Sequence, residues 1–229
     1  MKNFVRFYVL LVALLIISPV IFGQISTELN GFNKIEIFGK INVRLEKSTA
    51  DSLFIRTDSF DIEQVNYFIK DSTLKIKLLS EFPPSIKVDV TINFKQINGL
   101  KVGGGAKVYN RGVIESKYFT LSANSGCELD LFVKIDSADV DVTKGAFVRL
   151  TGENRYMNLK TTTGGDFRST KMANSIMNVK QSGGTAEVSC ADELVAKVSF
   201  GASLKFVEKP KKVVKKEKFG GSVGKLEDF

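Results

Sequence analysis

The sequence predicts an all-β protein: a strand-rich N-terminal part leading into a β-solenoid with repeats of about 19 residues. Three observations carry this. Apolar residues alternate with polar ones in short runs along the chain. A four-residue signature recurs at a nearly fixed period. The residues flanking that signature repeat their apolar character at the same offsets.

The alternation comes first in chain order. Ile35/Ile37, Ile41/Val43/Leu45, Leu53/Ile55, Val65/Tyr67/Ile69, Leu74/Ile76/Leu78 and Ile86/Val88/Val90/Ile92 place apolar side chains at every second position. That spacing belongs to half-buried strands. Asp71-Ser72 and the segment from Glu81 to Ser85, with its proline pair, separate the runs as turns. No segment reads as a helix of any length.

The signature is glycine, a small residue, any residue, then an apolar one. It begins at Gly105, Gly126, Gly145, Gly164, Gly183, Gly201 and Gly220, with spacings of 21, 19, 19, 19, 18 and 19. Two residues beyond the apolar position, Leu131, Leu150, Val188 and Phe206 are apolar, whereas Asn110, Ser169 and Lys225 are not. A second alternating segment, such as Phe119/Leu121, Val140/Val142 or Met157/Leu159, precedes the next glycine. Each repeat is therefore two short strands joined by turns, a unit unable to bury its apolar face alone. Stacking at ~4.8 Å per rung gives paired backbone and a continuous core. The glycine then belongs at a corner needing positive φ. Hairpin turns in an antiparallel sandwich would also use glycines, but without a constant period. A phosphate loop at Gly103-Gly104-Gly105 lacks the Lys-Ser/Thr ending and a following helix.

The N-terminus reads differently. Lys2 and Arg6 precede an apolar run from Tyr8 to Ile17, followed by Ser18-Pro19 and Gly23-Gln24. This is the pattern of a secretory signal peptide, residues 1–23, with cleavage after Gly23. An uncleaved anchor is the competing reading, opposed by Pro19 and the short run. No later segment is apolar for long enough to span a bilayer. The expected organisation is thus a signal peptide over 1–23, an N-terminal β-strand region over 24–102 and solenoid repeats with a basic last coil over 103–229.

Composition narrows the chemistry. There is no His, which excludes imidazole triads and His-ligated zinc. Two Cys cannot form a four-thiolate metal site. Cys127 and Cys190 fall about three rungs apart, too far for a disulfide, and are expected as free, buried structural thiols. The net charge is +8. From Lys205 to Phe229 there are eight Lys and four acids, a run expected to guard the open end of a solenoid from strand pairing. An acidic surface polymer or anionic lipid is its second reading, and an exported protein meets little nucleic acid.

The register yields two outward columns. One reads Tyr109, Asp130, Arg149, Arg168, Glu187, Lys205, with charge pairs expected at Asp130/Arg149 and Arg168/Glu187. The other reads Ser122, Asp141, Lys160, a slip at Val179/Lys180, then Lys197 and Lys216. A bulge or trimmed turn is expected at the slip. Solvated faces or a strip binding glycan or an anionic envelope polymer would both look this way. For catalysis the one constellation is Asp139 and Asp141 on one strand face with Asn158 on the next rung. Together they form a conceivable calcium site, beside Lys160 as a lyase-type base. No catalytic residue, metal ligand or cofactor is assigned, and neither the ligand-binding residues nor the oligomeric state is fixed.

Once aligned, the repeats resemble the putative auto-transporter adhesin head domain, or head GIN domain, common in envelope proteins of Bacteroidetes. The residues concerned begin with Phe32-Asn33-Lys34-Ile35-Glu36-Ile37, Ile41-Asn42-Val43-Arg44-Leu45 and Leu74-Lys75-Ile76. They continue with Gly99-Leu100-Lys101-Val102 and the corners Ser125-Gly126-Cys127, Ser182-Gly183-Gly184 and Phe200-Gly201-Ala202-Ser203. The resemblance implies a right-handed β-helix, an exported location and a proposed adhesive role; the expected function is a non-enzymatic adhesion or scaffolding module in the periplasm, on the outer surface or outside the cell. It transfers no catalytic or ligand residues. The chain departs from the pattern in Cys127 at a corner, in Asp166, and in its basic last coil. A calcium-assisted, polysaccharide lyase-like β-helix enzyme is the alternative.

Overall fold

The computed structural model describes residues 23–58, 62–79 and 87–226. The expected signal peptide lies outside the described residues, apart from Gly23. Among the described residues nineteen strands run in chain order. The first seven are β1 (Gly23–Glu28), β2 (Lys34–Phe38), β3 (Asn42–Lys47), β4 (Ser52–Thr57), β5 (Val65–Lys70), β6 (Thr73–Leu78) and β7 (Val88–Phe94). Next come β8 (Gly99–Gly103), β9 (Lys107–Arg111), β10 (Ile114–Ala123), β11 (Glu128–Thr143), β12 (Phe147–Thr162) and β13 (Asp166–Ser169). The last six are β14 (Met172–Ser182), β15 (Thr185–Val188), β16 (Glu193–Ser199), β17 (Ser203–Phe206), β18 (Lys212–Lys218) and β19 (Ser222–Lys225). Beside them the described residues hold one short 3-10 turn, Ile62–Gln64.

The strands stack into a β-solenoid. Strands that lead into the glycine corners form one face, in the order β5, β6, β2, β8, β10, β11, β12, β14, β16, β18. Strands that leave the corners form a second, from β1, β4, β7, β3 and β9 through β11, β12, β13, β15 and β17 to β19. All pairings are parallel except β1–β4, β4–β7 and β5–β6. The long strands β11 and β12 serve both faces. In β11 the alternation of buried and exposed residues slips by one step at Asp136–Ser137, where the chain turns from one face to the next.

The corners behave as the signature requires. All seven signature glycines have φ between +69° and +81°. The preceding residue is also left-handed at six of the seven, Ser125 at +54° and Lys144 at +53° among them. Two successive positive φ values are the pattern of a type I′ turn, which glycine enters without steric penalty. The rung ladder continues through the corners: Gly126 N–H donates to the Lys144 carbonyl at 3.1 Å, and Gly201 N–H to that of Phe219 at 3.1 Å.

The interior rows follow from the same register. Val90, Val43, Val108, Leu129, Val148, Phe167, Ala186, Leu204 and Val223 occupy one row. None is more than 7% exposed. The expected slip is present as well. Phe147, Asp166 and Thr185 stay in step at 19 residues, but Gly152 pairs Met172 across 20. The extra residue sits in the turn between β13 and β14. At the following corner the left-handed pair is Gly183–Gly184, and Lys180 keeps its place between Lys160 and Lys197.

The N-terminal strands join the same stack out of chain order. β2 lies between β6 and β8, and β3 between β7 and β9, so the rung made by β6 and β7 stacks outside the earlier one. Antiparallel β5, β4 and β1 flank that outer rung. Among the described residues no helix is long and apolar enough to cross a membrane.

Candidate functional site: a polar groove on the corner-leading face

Alternation sends every second residue of the corner-leading face outward. Parallel stacking then lines equivalent residues of successive rungs into columns. One column runs Lys75, Glu36, Lys101, Ser122, Asp141, Lys160, Lys180. Two residues earlier on each strand, its neighbour runs Thr73, Lys34, Gly99, Thr120, Asp139, Asn158, Asn178. Short residues at Gly99, Thr120 and Ser122 lie among the longer ones of these columns. Along them runs a groove of about 650 Å³ that reaches from Lys34 and Thr73 to Asn178 and Lys180.

Its polar groups are connected across rungs. Tyr118 O–H donates to Asp139, Asn158 Nδ2 donates to the other Asp139 oxygen at 2.8 Å, and Asn178 Nδ2 to Asn158 Oδ1 at 3.3 Å. Tyr118 foremost, then Asn158, holds the Asp139 carboxyl below the usual carboxylate range, against a small opposing effect of burial. The same bond pushes the Tyr118 phenol up. Lys160 Nζ stands 3.3 Å from Asp141 Oδ2. At the other end Glu36 is shared by Lys75 at 3.2 Å and Lys101 at 3.1 Å. Burial alone would raise the Glu36 carboxyl, but the two lysines outweigh it and leave it below its ordinary value.

The structure therefore brings Asp139, Asp141, Asn158 and Lys160 together in the groove. Both carboxylates are engaged by neighbouring side chains. Among the described residues no group of three or more carboxylates or thiols converges as a metal centre would need. The arrangement offers carboxylate and amide acceptors, amide and hydroxyl donors and ammonium groups along a line, suited to hydrogen-bonding a chain of hydroxyl-bearing units.

The second expected column is present in register from Tyr109 to Lys205. Arg149 pairs Asp130 at 3.0 Å. Arg168, expected on Glu187, instead meets Asp166 on its own strand at 3.2 Å. Glu187, in register with Arg168 on β15, makes no direct bond to it and contributes only a weaker charge effect. Cys127 and Cys190 are free and buried, their thiols pushed up to about 11 by burial.

The groove's upper half escaped the sequence reading. Lys34, Glu36, Thr73 and Lys101 reach it only because β2 inserts between β6 and β8, and Lys101 bonds a partner 65 residues away. The one visible sign was the opposite charge of Glu36 and its two lysines, which has no meaning until the rung order is known.

Solved structures share this fold. A putative adhesin of Bacteroides fragilis superposes with TM-score 0.81 at 17% identity, covering 90% of this chain and 97% of that one. A putative adhesin of Parabacteroides merdae gives 0.68 at 18%, covering 90% and 96%. A protein of Parabacteroides distasonis described as a putative lipid binding protein gives 0.71 at 14%, covering 90% and 97%. No curated protein matches the chain. At these identities the likeness is one of fold. The family model described as "Putative auto-transporter adhesin, head GIN domain" matches residues 31–210, so the corners, rungs and groove traced above are those of a member: this chain belongs to that family.

Proposed function

We propose that this protein is a non-enzymatic, exported module of the cell envelope or surface that adheres to or scaffolds a glycan laid along the groove. The observation that carries the reading is the Tyr118–Asp139–Asn158–Asn178 ladder. It is a polar track across successive rungs whose donors and acceptors repeat once per rung, as a polysaccharide's hydroxyls repeat once per sugar. Family membership and the adhesin-like neighbours support a surface role. Residues 24–102 serve as the capped beginning of the stack and 103–229 as its repeating body. The compartment is periplasm, outer surface or extracellular space, and the partner is a glycan or envelope polymer rather than nucleic acid.

A glycan array probed with the exported protein tests this. Binding to at least one polysaccharide class is expected, weakened about two- to tenfold by Asn158→Ala, since a neutral hydrogen bond contributes about 0.5–1.5 kcal/mol. Binding with slow cleavage, abolished by Lys160→Ala, would establish the lyase-type alternative built on Asp139, Asp141 and Lys160. No glycan binding at all would leave a scaffold.

A further inference from the structure

The last two rungs of the corner-leading face carry a feature unrelated to the groove. Phe200 and Phe219 occupy the left-handed corner position, φ +54° and +48°, where earlier rungs place Ser125, Lys144 and Thr163. They are 65% and 72% exposed. Their rings stack at 5.0 Å between centroids, 15° from parallel. A bulky apolar side chain at positive φ, pointed into solvent, is what folding alone disfavours.

The strands leading to this pair are basic on their outer side. Lys180, Lys197 and Lys216 follow one another in register, and Lys218 stands beside Ser199 next to Phe219. None of these four has an ion-pair partner among the described residues. Their neighbours do: Lys211 and Lys212 reach Asp192 and Glu193 at 2.7 and 2.6 Å, and Lys215 reaches Glu217 at 3.2 Å. Val214, two residues before Lys216, is 48% exposed. The patch is thus an aromatic knob beside uncompensated ammonium groups.

From this geometry we infer that the last two rungs dock onto an anionic lipid membrane. Lys197, Lys216 and Lys218 meet the phosphates, and the Phe200–Phe219 pair enters the boundary between headgroups and acyl chains. Basic side chains at the phosphate level with aromatic rings just below are the ordinary means of peripheral attachment. A sugar is the less suitable occupant. The rings spend a face each on one another, and phenylalanine has no hydroxyl to offer a glycan. The proposal is independent of the groove, whose ladder ends at Asn178.

The experiment is co-sedimentation of the protein with vesicles of phosphatidylcholine alone or mixed with phosphatidylglycerol. Binding is expected to the mixed vesicles only, and to fall as salt is raised. The double variant F200G/F219G, in which glycine suits the left-handed corners, should bind at least tenfold more weakly with an undiminished melting temperature. K197Q/K216Q/K218Q should lose at least as much. Asn158→Ala should bind vesicles as the parent does, which separates this surface from the glycan reading. Absence of binding to anionic vesicles, equal binding by F200G/F219G, or capture of an acidic polysaccharide but not vesicles through the Phe pair would each overturn the proposal.

Discussion

Exchanging two neighbouring side chains of the interior row tests whether the rungs share one core. Phe167 and Ala186 face each other in register on β13 and β15, at 0% and 1% exposure, with Val148 above and Leu204 below. Phe167→Ala opens a hole beside an already small residue, so little can collapse into it. The cost is about 3–5 kcal/mol, or about 10 °C of melting temperature for a domain this size. Ala186→Phe alone overfills its rung at about 1–3 kcal/mol. Combined, the ring moves by one rung and the row's total volume is restored, so the double variant should be at least about 2 kcal/mol more stable than additivity predicts. Urea unfolding followed by circular dichroism and by tyrosine fluorescence reads all four proteins. Coincident transitions check that the stack unfolds as one unit. Additivity within about 0.5 kcal/mol would show that the two side chains do not share space, and the stacked interior would fall with it.

Two further outcomes follow from groups the fold encloses. Glu36→Gln should cost about 1 kcal/mol at neutral pH through the loss of Lys75 and Lys101. Because the folded Glu36 carboxyl lies below its ordinary 4.5, that contribution is complete above the unfolded value and lost as pH falls through the folded one. Thermal melts should show the gap between parent and variant narrowing in acid. A gap as wide at pH ~3 as at pH ~7 would contradict the assignment. Cys127 and Cys190, with thiols near 11, should resist an aromatic disulfide reagent at mildly alkaline pH until urea is added. Rapid labelling of the native protein, or a disulfide between the two in non-reducing mass mapping, would refute their burial in separate rungs.

The corners were legible because their requirement is local. Positive φ at Gly126 or Gly145 restricts the residue type whatever the neighbours are, and a constant period then fixes the interior row without further information. Column order was legible for the same reason, including the slip at Lys180. Three features were not. The rung of β6 and β7 stacks on the far side of β2 and β3, and sequence adjacency cannot reveal that inversion. Thr161 and Gln181 sit inside the core beside Val142 and Val198, at 0% and 3% exposure. Polarity alone would have placed them outside. Phe200 and Phe219 break the corner rule itself, since hydropathy suggests burial while the backbone turns them out.

The last of these, the Phe200–Phe219 pair, lies where selection for something other than folding can act. In a stack of this kind the interior rows are fixed by packing, as Val148 is between Leu129 and Phe167, and a corner such as Gly145 by its φ of +71°, with open space where a Cβ would stand. Outward columns have no such duty. A surface substitution usually changes stability by no more than about 0.5 kcal/mol, so each rung can carry a different chemistry at almost no cost to the fold. The corner-leading face uses that freedom. Its upper rungs pair Glu36 with lysines, its middle rungs present Asp139, Asn158 and Asn178, and its last rungs leave Lys197 and Lys216 uncompensated. One sheet thereby offers a neutralised polar track and a basic, aromatic-tipped end a few rungs apart. A single enclosed pocket could not hold both without burying charge. On the proposed readings, ligand specificity resides in the sequence of side chains along a column, one rung at a time.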